Sequence, residues 1–214
     1  MLELTLLQKI AVGALPIVLA VTVHEAAHGY VANRFGDSTA RMLGRLTLNP
    51  IKHIDPIGTI VVPLLMFIFT PFVFGWAKPV PVNPRHLRRP RRDMFLVALA
   101  GPVSNLLMAV GWALITLWGL KMGPAMIAEP LALMGQIGIF INIVLAVFNL
   151  LPLLPLDGGR MVATVLPPRW AVQYEKSEPW GLPIVVILLL TGVLSAILVP
   201  VVAFFIDIFA MVMR

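Results

Sequence analysis

His24, Glu25 and His28 form an H-E-x-x-H run near the end of an apolar stretch. On a helix, residues four apart share a face, so both imidazoles can reach one ion. Glu25 falls about 100° further round, beside that ion, where a carboxylate can hold a water and take its proton. The chemistry that fits these residue types at this spacing is hydrolysis assisted by a divalent metal. Three ionisable side chains at the end of an apolar helix are costly in lipid, which favours function over a polar cap.

A catalytic zinc site needs a third protein ligand. The chain has no cysteine, which excludes disulfides and thiolate metal sites, and only two further histidines, His53 and His86. Among the acids, Asp157 stands out. It follows an apolar run and the break Pro152-Leu153-Leu154-Pro155-Leu156, and Gly158-Gly159 allow the backbone there a close approach to another element. Taken alone, Asp157 reads better as the N-cap of the next helix. Asp207 has no polar neighbour, and snorkelling or an inter-helix hydrogen bond accounts for it. His53 either supports the site or organises its own loop with Asp55. His86, among arginines, reads as a surface residue.

The elements that must position these residues lie in a membrane. Hydrophobic residues make up 59% of the 214 and charged ones 12%, and mean hydropathy is +0.95, so water is not the main solvent. The expected fold is an all-α polytopic membrane bundle of about five to six transmembrane or re-entrant helices, in a single domain over residues 1–214. Helix one runs from about Leu6 to Asn33, with Pro16 as a tolerated kink and no signal-peptide cleavage site. Residues 38–50 alternate loosely and predict a small β element after helix one. Further helices are expected over 94–120 and 131–151, joined by a loop around Lys121 to Pro130. An amphipathic stretch runs on to Glu178. Residues 180–213 fit one long tilted helix or a hairpin broken near Pro200.

Charge placement sets the topology. The net charge is +6, and the basic residues gather between apolar runs, at 34–52, 85–92 and 160–176. That is the positive-inside pattern of cytoplasmic loops, and it puts the active-site end of helix one toward the cytoplasm of a multi-pass cell-membrane protein. No basic domain interleaved with aromatics exists to bind nucleic acid. Residues 57–76, ending in Phe74-Gly75-Trp76, are apolar with Pro63 and Pro71 inside. A single crossing there would part the first two basic clusters, which the positive-inside pattern disfavours, so a re-entrant or hairpin excursion is expected. The following Lys78-Pro79-Val80-Pro81-Val82-Asn83 must be extended, and serves either as a packing loop or as an edge for β-augmentation by an unwound substrate.

The chain resembles the site-2 protease family of intramembrane zinc metalloproteases, in its compact prokaryotic form without PDZ or CBS modules. The likeness rests on His24-Glu25-x-x-His28 taken with Asn149-x-x-Pro152-x-x-x-Leu156-Asp157-Gly158, the family's two motifs in order. Ala100-Gly101-Pro102-x-x-Asn105 is similar to the family's middle helix. The segments from Asn49 to Gly58 and from Gly75 to Asn83 resemble elements of the compact branch. The resemblance implies one zinc held by His24, His28 and Asp157, Glu25 as catalytic base, and Asn149 orienting substrate or stabilising the oxyanion. It implies single-pass membrane proteins as substrates and regulated intramembrane proteolysis as the activity. The rival reading is a metal or proton transporter using the same His/Glu/Asp cluster, which would usually carry an internal repeat. None is visible.

Overall fold

The computed structural model describes residues 6–69, 75–122 and 125–213. Helix α1 spans Leu6–Arg34, α2 Thr39–Met42 and α3 Val62–Phe69; α4 spans Pro90–Met122 and α5 Ala125–Asn149. Three short helices follow, α6 (Asp157–Val165), α7 (Pro168–Glu175) and α8 (Glu178–Leu190), and then α9 (Val193–Val212). Among the described residues, four segments are long and apolar enough to cross a bilayer: Val12–Arg34, Pro90–Gly119, Ala128–Asn149 and Val193–Val212. Pro56–Met66 and Glu178–Leu190 are shorter apolar helices. The expected all-helical bundle is therefore present.

No strand occurs among the described residues, so the β element expected over 38–50 is absent there and the expectation is corrected. Asp37 explains part of it. Its carboxylate accepts from the Thr39 amide at 3.0 Å and starts the short α2 in place of a strand. The alternation of 43–48 finds no partner strand to pair with, and Pro50–His53 closes as a 3-10 turn capped by Asn49.

The excursion after residue 56 returns to where it began. A π-helical turn, Pro56–Val61, leads into α3. The Trp76 amide then donates to Gly58 O at 3.0 Å, and Thr59 Oγ1 donates to Trp76 O at 2.9 Å. These bonds set Gly58 and Trp76 side by side, as the expected excursion requires of its two ends. Phe74 and the tip of the loop between α4 and α5, residues 123–124, lie outside the described residues.

The last apolar region is broken, but not at Pro200, which lies inside α9. The break falls at Gly192, whose φ of +76° suits glycine and almost nothing else. α8 ends there and α9 packs against both α8 and α5.

The bundle centre is α4 against α5, with α1 across both. Ala109, Trp112, Ala113, Ile139, Ile143 and Val202 form its buried cluster. The indole of Trp112 lies where a side chain on Gly138 would go, with the nearest ring atom 2.3 Å from a Cβ built there. Small residues at a helix interface are how membrane helices gain close packing when lipid offers no hydrophobic drive. This interface carries α1, and with it the H-E-x-x-H run, against α4.

Candidate metal centre

His24 and His28 lie one turn apart on α1, both buried, and Asp157 opens α6, also buried. The two Nε2 atoms are 3.1 Å apart, and Asp157 Oδ2 is 3.2 Å from the first and 3.3 Å from the second. Asp157 is the first residue of α6 and not its N-cap, which is Leu156. Its carboxylate makes no capping bond and faces the imidazoles instead.

Protons decide what this triangle is. His28 Nδ1 sits 2.7 Å from Val97 O, and a carbonyl only accepts, so the hydrogen of the neutral ring is on Nδ1. His24 Nδ1 sits 2.6 Å from Asn105 Oδ1. The Asn105 amide donates to Ala20 O at 3.2 Å and to Asn142 Oδ1 at 2.8 Å, so its oxygen is the atom left to accept from His24. Both rings in this tautomer point lone pairs from Nε2 at each other and at Asp157 Oδ2, a buried oxygen without a hydrogen-bond partner. Three lone-pair donors with no proton among them call for a cation. Two imidazoles and one carboxylate, with ligand atoms within 4.8 Å of one another, suit a zinc ion with an open fourth position.

Glycines make the approach possible. A Cβ on Gly101 of α4 would lie 2.5 Å from His24 Cε1 and 2.5 Å from His28 Nε2. On the other side, a Cβ on Gly158 would lie 2.3 Å from Leu150 O, and one on Gly159 2.5 Å from Leu154 N. The start of α6 is thus pressed onto the 150–154 loop, which aims Asp157 at α1. Gly181 of α8 backs the same loop, where a Cβ would meet Leu154 O at 1.5 Å.

A cavity of about 390 Å³ opens over the triangle, lined by His24, Glu25, His28, Val80, Asn149 and Asp157 among others. Glu25 Oε2 accepts from the Val80 amide at 2.8 Å. Asn149 Nδ2 donates to Leu145 O at 3.0 Å, which uses one of its two amide hydrogens. His53 is buried but does not line this cavity. Its Nε2 donates to Thr47 O at 2.9 Å, and its carbonyl accepts from Lys78 N at 2.9 Å. It bonds to the loop that steadies the extended segment, while Asp55 caps the turn after it by accepting from Ile57 and Gly58.

The extended segment is less open than its prolines suggest. The amides of Lys78, Val80 and Asn83 go inward, to His53 O, Glu25 and Asp37, and Arg45 donates to Lys78 O at 2.8 Å. Three amides are therefore unavailable to a pairing strand, which favours the packing loop of the two readings. Fully buried Asp37 is not distinguished by any sequence pattern, nor are Arg45 and Asn142 among the expected site residues. Burial opposes ionisation of Asp37, but bonds from Thr39, Asn83 and half-exposed His86 outweigh it and hold the carboxyl below its ordinary range. A polar residue inside an apolar helix is the signal that could have pointed to Asn142.

Four apolar helices around a His-Glu-His-Asp cluster make this a multi-pass membrane protein with the donor set of a zinc hydrolase. The comparisons with known proteins agree. Residues 120–192 match the model of Peptidase family M50. The chain is 43% identical over 188 residues to "Putative zinc metalloprotease YwhC" of Bacillus subtilis, covering 86% of this chain and 82% of that one. It is 30% identical to "Putative zinc metalloprotease Rip2" of Mycolicibacterium smegmatis, covering 88% and 70%. It is 28% identical to the Mycobacterium tuberculosis H37Rv protein of the same name, covering 83% and 66%. No solved structure matches the chain. The protein belongs to Peptidase family M50, the site-2 proteases, and is a zinc metalloprotease.

Proposed function

We propose that the protein is an endopeptidase that cuts single-pass membrane proteins within or beside the bilayer, and that residues 1–214 act as one domain. The observation that carries this is the joining of His24, His28 and Asp157 in one buried triangle, with Glu25 and Asn149 on the same cavity between membrane helices. The basic loops at 34–52, 85–92 and 160–176 support an active site on the cytoplasmic side of the cell membrane.

Bound at His24, His28 and Asp157, zinc supplies Lewis acidity and brings the pKa of water to about 7. Glu25 takes the proton from the attacking water and passes it to the leaving amine nitrogen. Its Oε2 is held by the Val80 amide, which leaves the second oxygen for that transfer. Asn149 has one amide hydrogen to spare for the oxyanion at the scissile carbon.

The test is Glu25→Gln in the purified full-length protein with a single-pass membrane protein as substrate. Cleavage should fall by roughly 10²- to 10⁴-fold, the share a general base contributes, with zinc still bound. A wild type that holds zinc and cuts no membrane peptide, yet passes metal into liposomes, would establish transport instead.

A further inference from the structure

Asn142 and Asn105 are both completely buried, on α5 and α4, at the level of membrane helices whose other side chains are overwhelmingly apolar. Carboxamides at such depth are expensive unless every donor and acceptor is used. Here they form one directed chain. Asn142 Nδ2 donates to Gly138 O at 2.8 Å. Asn142 Oδ1 accepts from Asn105 Nδ2 at 2.8 Å, which also donates to Ala20 O at 3.2 Å. Asn105 Oδ1 faces His24 Nδ1 at 2.6 Å.

The direction of this chain is fixed from its far end. Gly138 O and Ala20 O are backbone carbonyls inside helices and can only accept. Each amide must therefore turn its NH₂ toward a carbonyl and its oxygen toward the next donor. If Asn142 were flipped, its NH₂ would meet the NH₂ of Asn105, and if Asn105 then flipped, its oxygen would meet Ala20 O. Only one arrangement leaves no like pair in contact, and it presents an acceptor to His24 Nδ1.

We propose that Asn142 is a positioning residue for the metal centre: acting through Asn105, it locks His24 in the tautomer with the proton on Nδ1, so that Nε2 is always the free donor. Outer partners of a ligating imidazole do this work in metal sites generally, most often as a single carboxylate or carbonyl. Here the partner is itself flippable, so a second amide on another helix is needed to hold it. That couples the α1–α4–α5 packing directly to metal affinity.

The matched variants are Asn142→Leu and Asn142→Asp, which share the branched outline of asparagine. Aspartate, kept neutral by burial, retains an oxygen for Asn105 Nδ2 and a hydroxyl for Gly138 O, and leucine removes both. The first measurement is the tautomer of His24, from nitrogen NMR of the full chain labelled at histidine, with metal stripped and at a pH where the ring is neutral. Wild type and Asn142→Asp should show Nδ1 protonated, and Asn142→Leu a mixture of both tautomers. This reading does not depend on whether the chain cleaves anything, so it stands apart from the proposed proteolysis. The second is zinc affinity by competition with a chromophoric chelator, which should weaken about tenfold in Asn142→Leu and stay near wild type in Asn142→Asp. Asn142→Ala carries the same expectation as leucine should leucine prevent folding. A His24 ring that keeps its proton on Nδ1 in the folded leucine or alanine variant, with unaltered zinc affinity, would reduce Asn142 to inter-helix packing.

Discussion

The backbone amide of Val80 donates to Glu25 Oε2 at 2.8 Å, tying the helix that carries the H-E-x-x-H run to the extended segment beyond residue 76. Glu25 lies 55 positions away in the chain, so nothing local holds this contact. It follows from the folding back of 56–76, the Lys78 amide on His53 O, and Arg45 on Lys78 O.

That bond can be deleted with almost nothing else. Val80 stands between Pro79 and Pro81 in extended backbone, so a third proline suits the conformation and removes only the amide hydrogen and some apolar bulk. A hydrogen bond to a charged group contributes about 1.5–3 kcal/mol. Val80→Pro should therefore lower kcat by roughly 10- to 100-fold with zinc content unchanged. Val80→Ala, which keeps the amide, should lose far less. Equal losses in the two variants would show that the side chain matters and the bond does not.

Gly101 and Gly111 on α4 make opposite predictions for the same change. A Cβ at Gly101 meets both metal-facing imidazoles at 2.5 Å, while one at Gly111 meets nothing within 4 Å. Gly101→Ala should push a ring out of place and cut zinc affinity by an order of magnitude or more. Gly111→Ala should instead stabilise by up to about 1 kcal/mol, through helix propensity alone. Chelator competition and thermal unfolding in detergent read the two effects.

Much of this arrangement is legible in the amino-acid sequence. The spacing of His24, Glu25 and His28 states its own geometry because a helix repeats every 3.6 residues. The long apolar runs give helices near their expected bounds because lipid tolerates no other spanning element here than a helix. What is not legible depends on pairing across the chain. The alternation of 38–50 has no strand to pair with, Asp37 takes its partners from residue 39 and from 83 to 86, and Asn142 has meaning only once Asn105 is beside it. Pro200 draws the expected break away from Gly192, yet proline is tolerated inside a membrane helix, whereas the positive φ at Gly192 is not visible in its neighbours.

Removing Asp157 should remove the metal. With Asp157→Ala the remaining donors are two neutral imidazoles, and the charge that balances a divalent ion is gone. Zinc per chain after dialysis should drop well below one, and prolonged chelation of wild type should abolish activity, with zinc restoring it. Full zinc occupancy in the alanine variant would show that another acid is the third ligand.

Asp37 predicts how stability falls with acid. Its carboxyl is held below the ordinary range by the amides of Thr39 and Asn83, the Thr39 hydroxyl and His86, against the cost of burial. A carboxyl with a lower pKa folded than unfolded binds fewer protons in the folded state. Its contribution is therefore complete above the unfolded value, about 3.9, and disappears as pH falls through the lower folded one. Asp37→Asn removes that linkage and leaves the Thr39 and Asn83 donors facing an amide, at a cost of about 1–3 kcal/mol near neutrality. The stability gap between wild type and variant should be constant from about pH 5 to 7, as expected for a carboxyl titrating in the acid range, and should close below about pH 4. Comparing the two at each pH cancels the zinc lost from both when histidines protonate. Thermal unfolding in detergent gives the gap directly, and one that persists unchanged to about pH 3, below the ordinary carboxyl range, would mean the carboxyl titrates alike in the folded and unfolded chains.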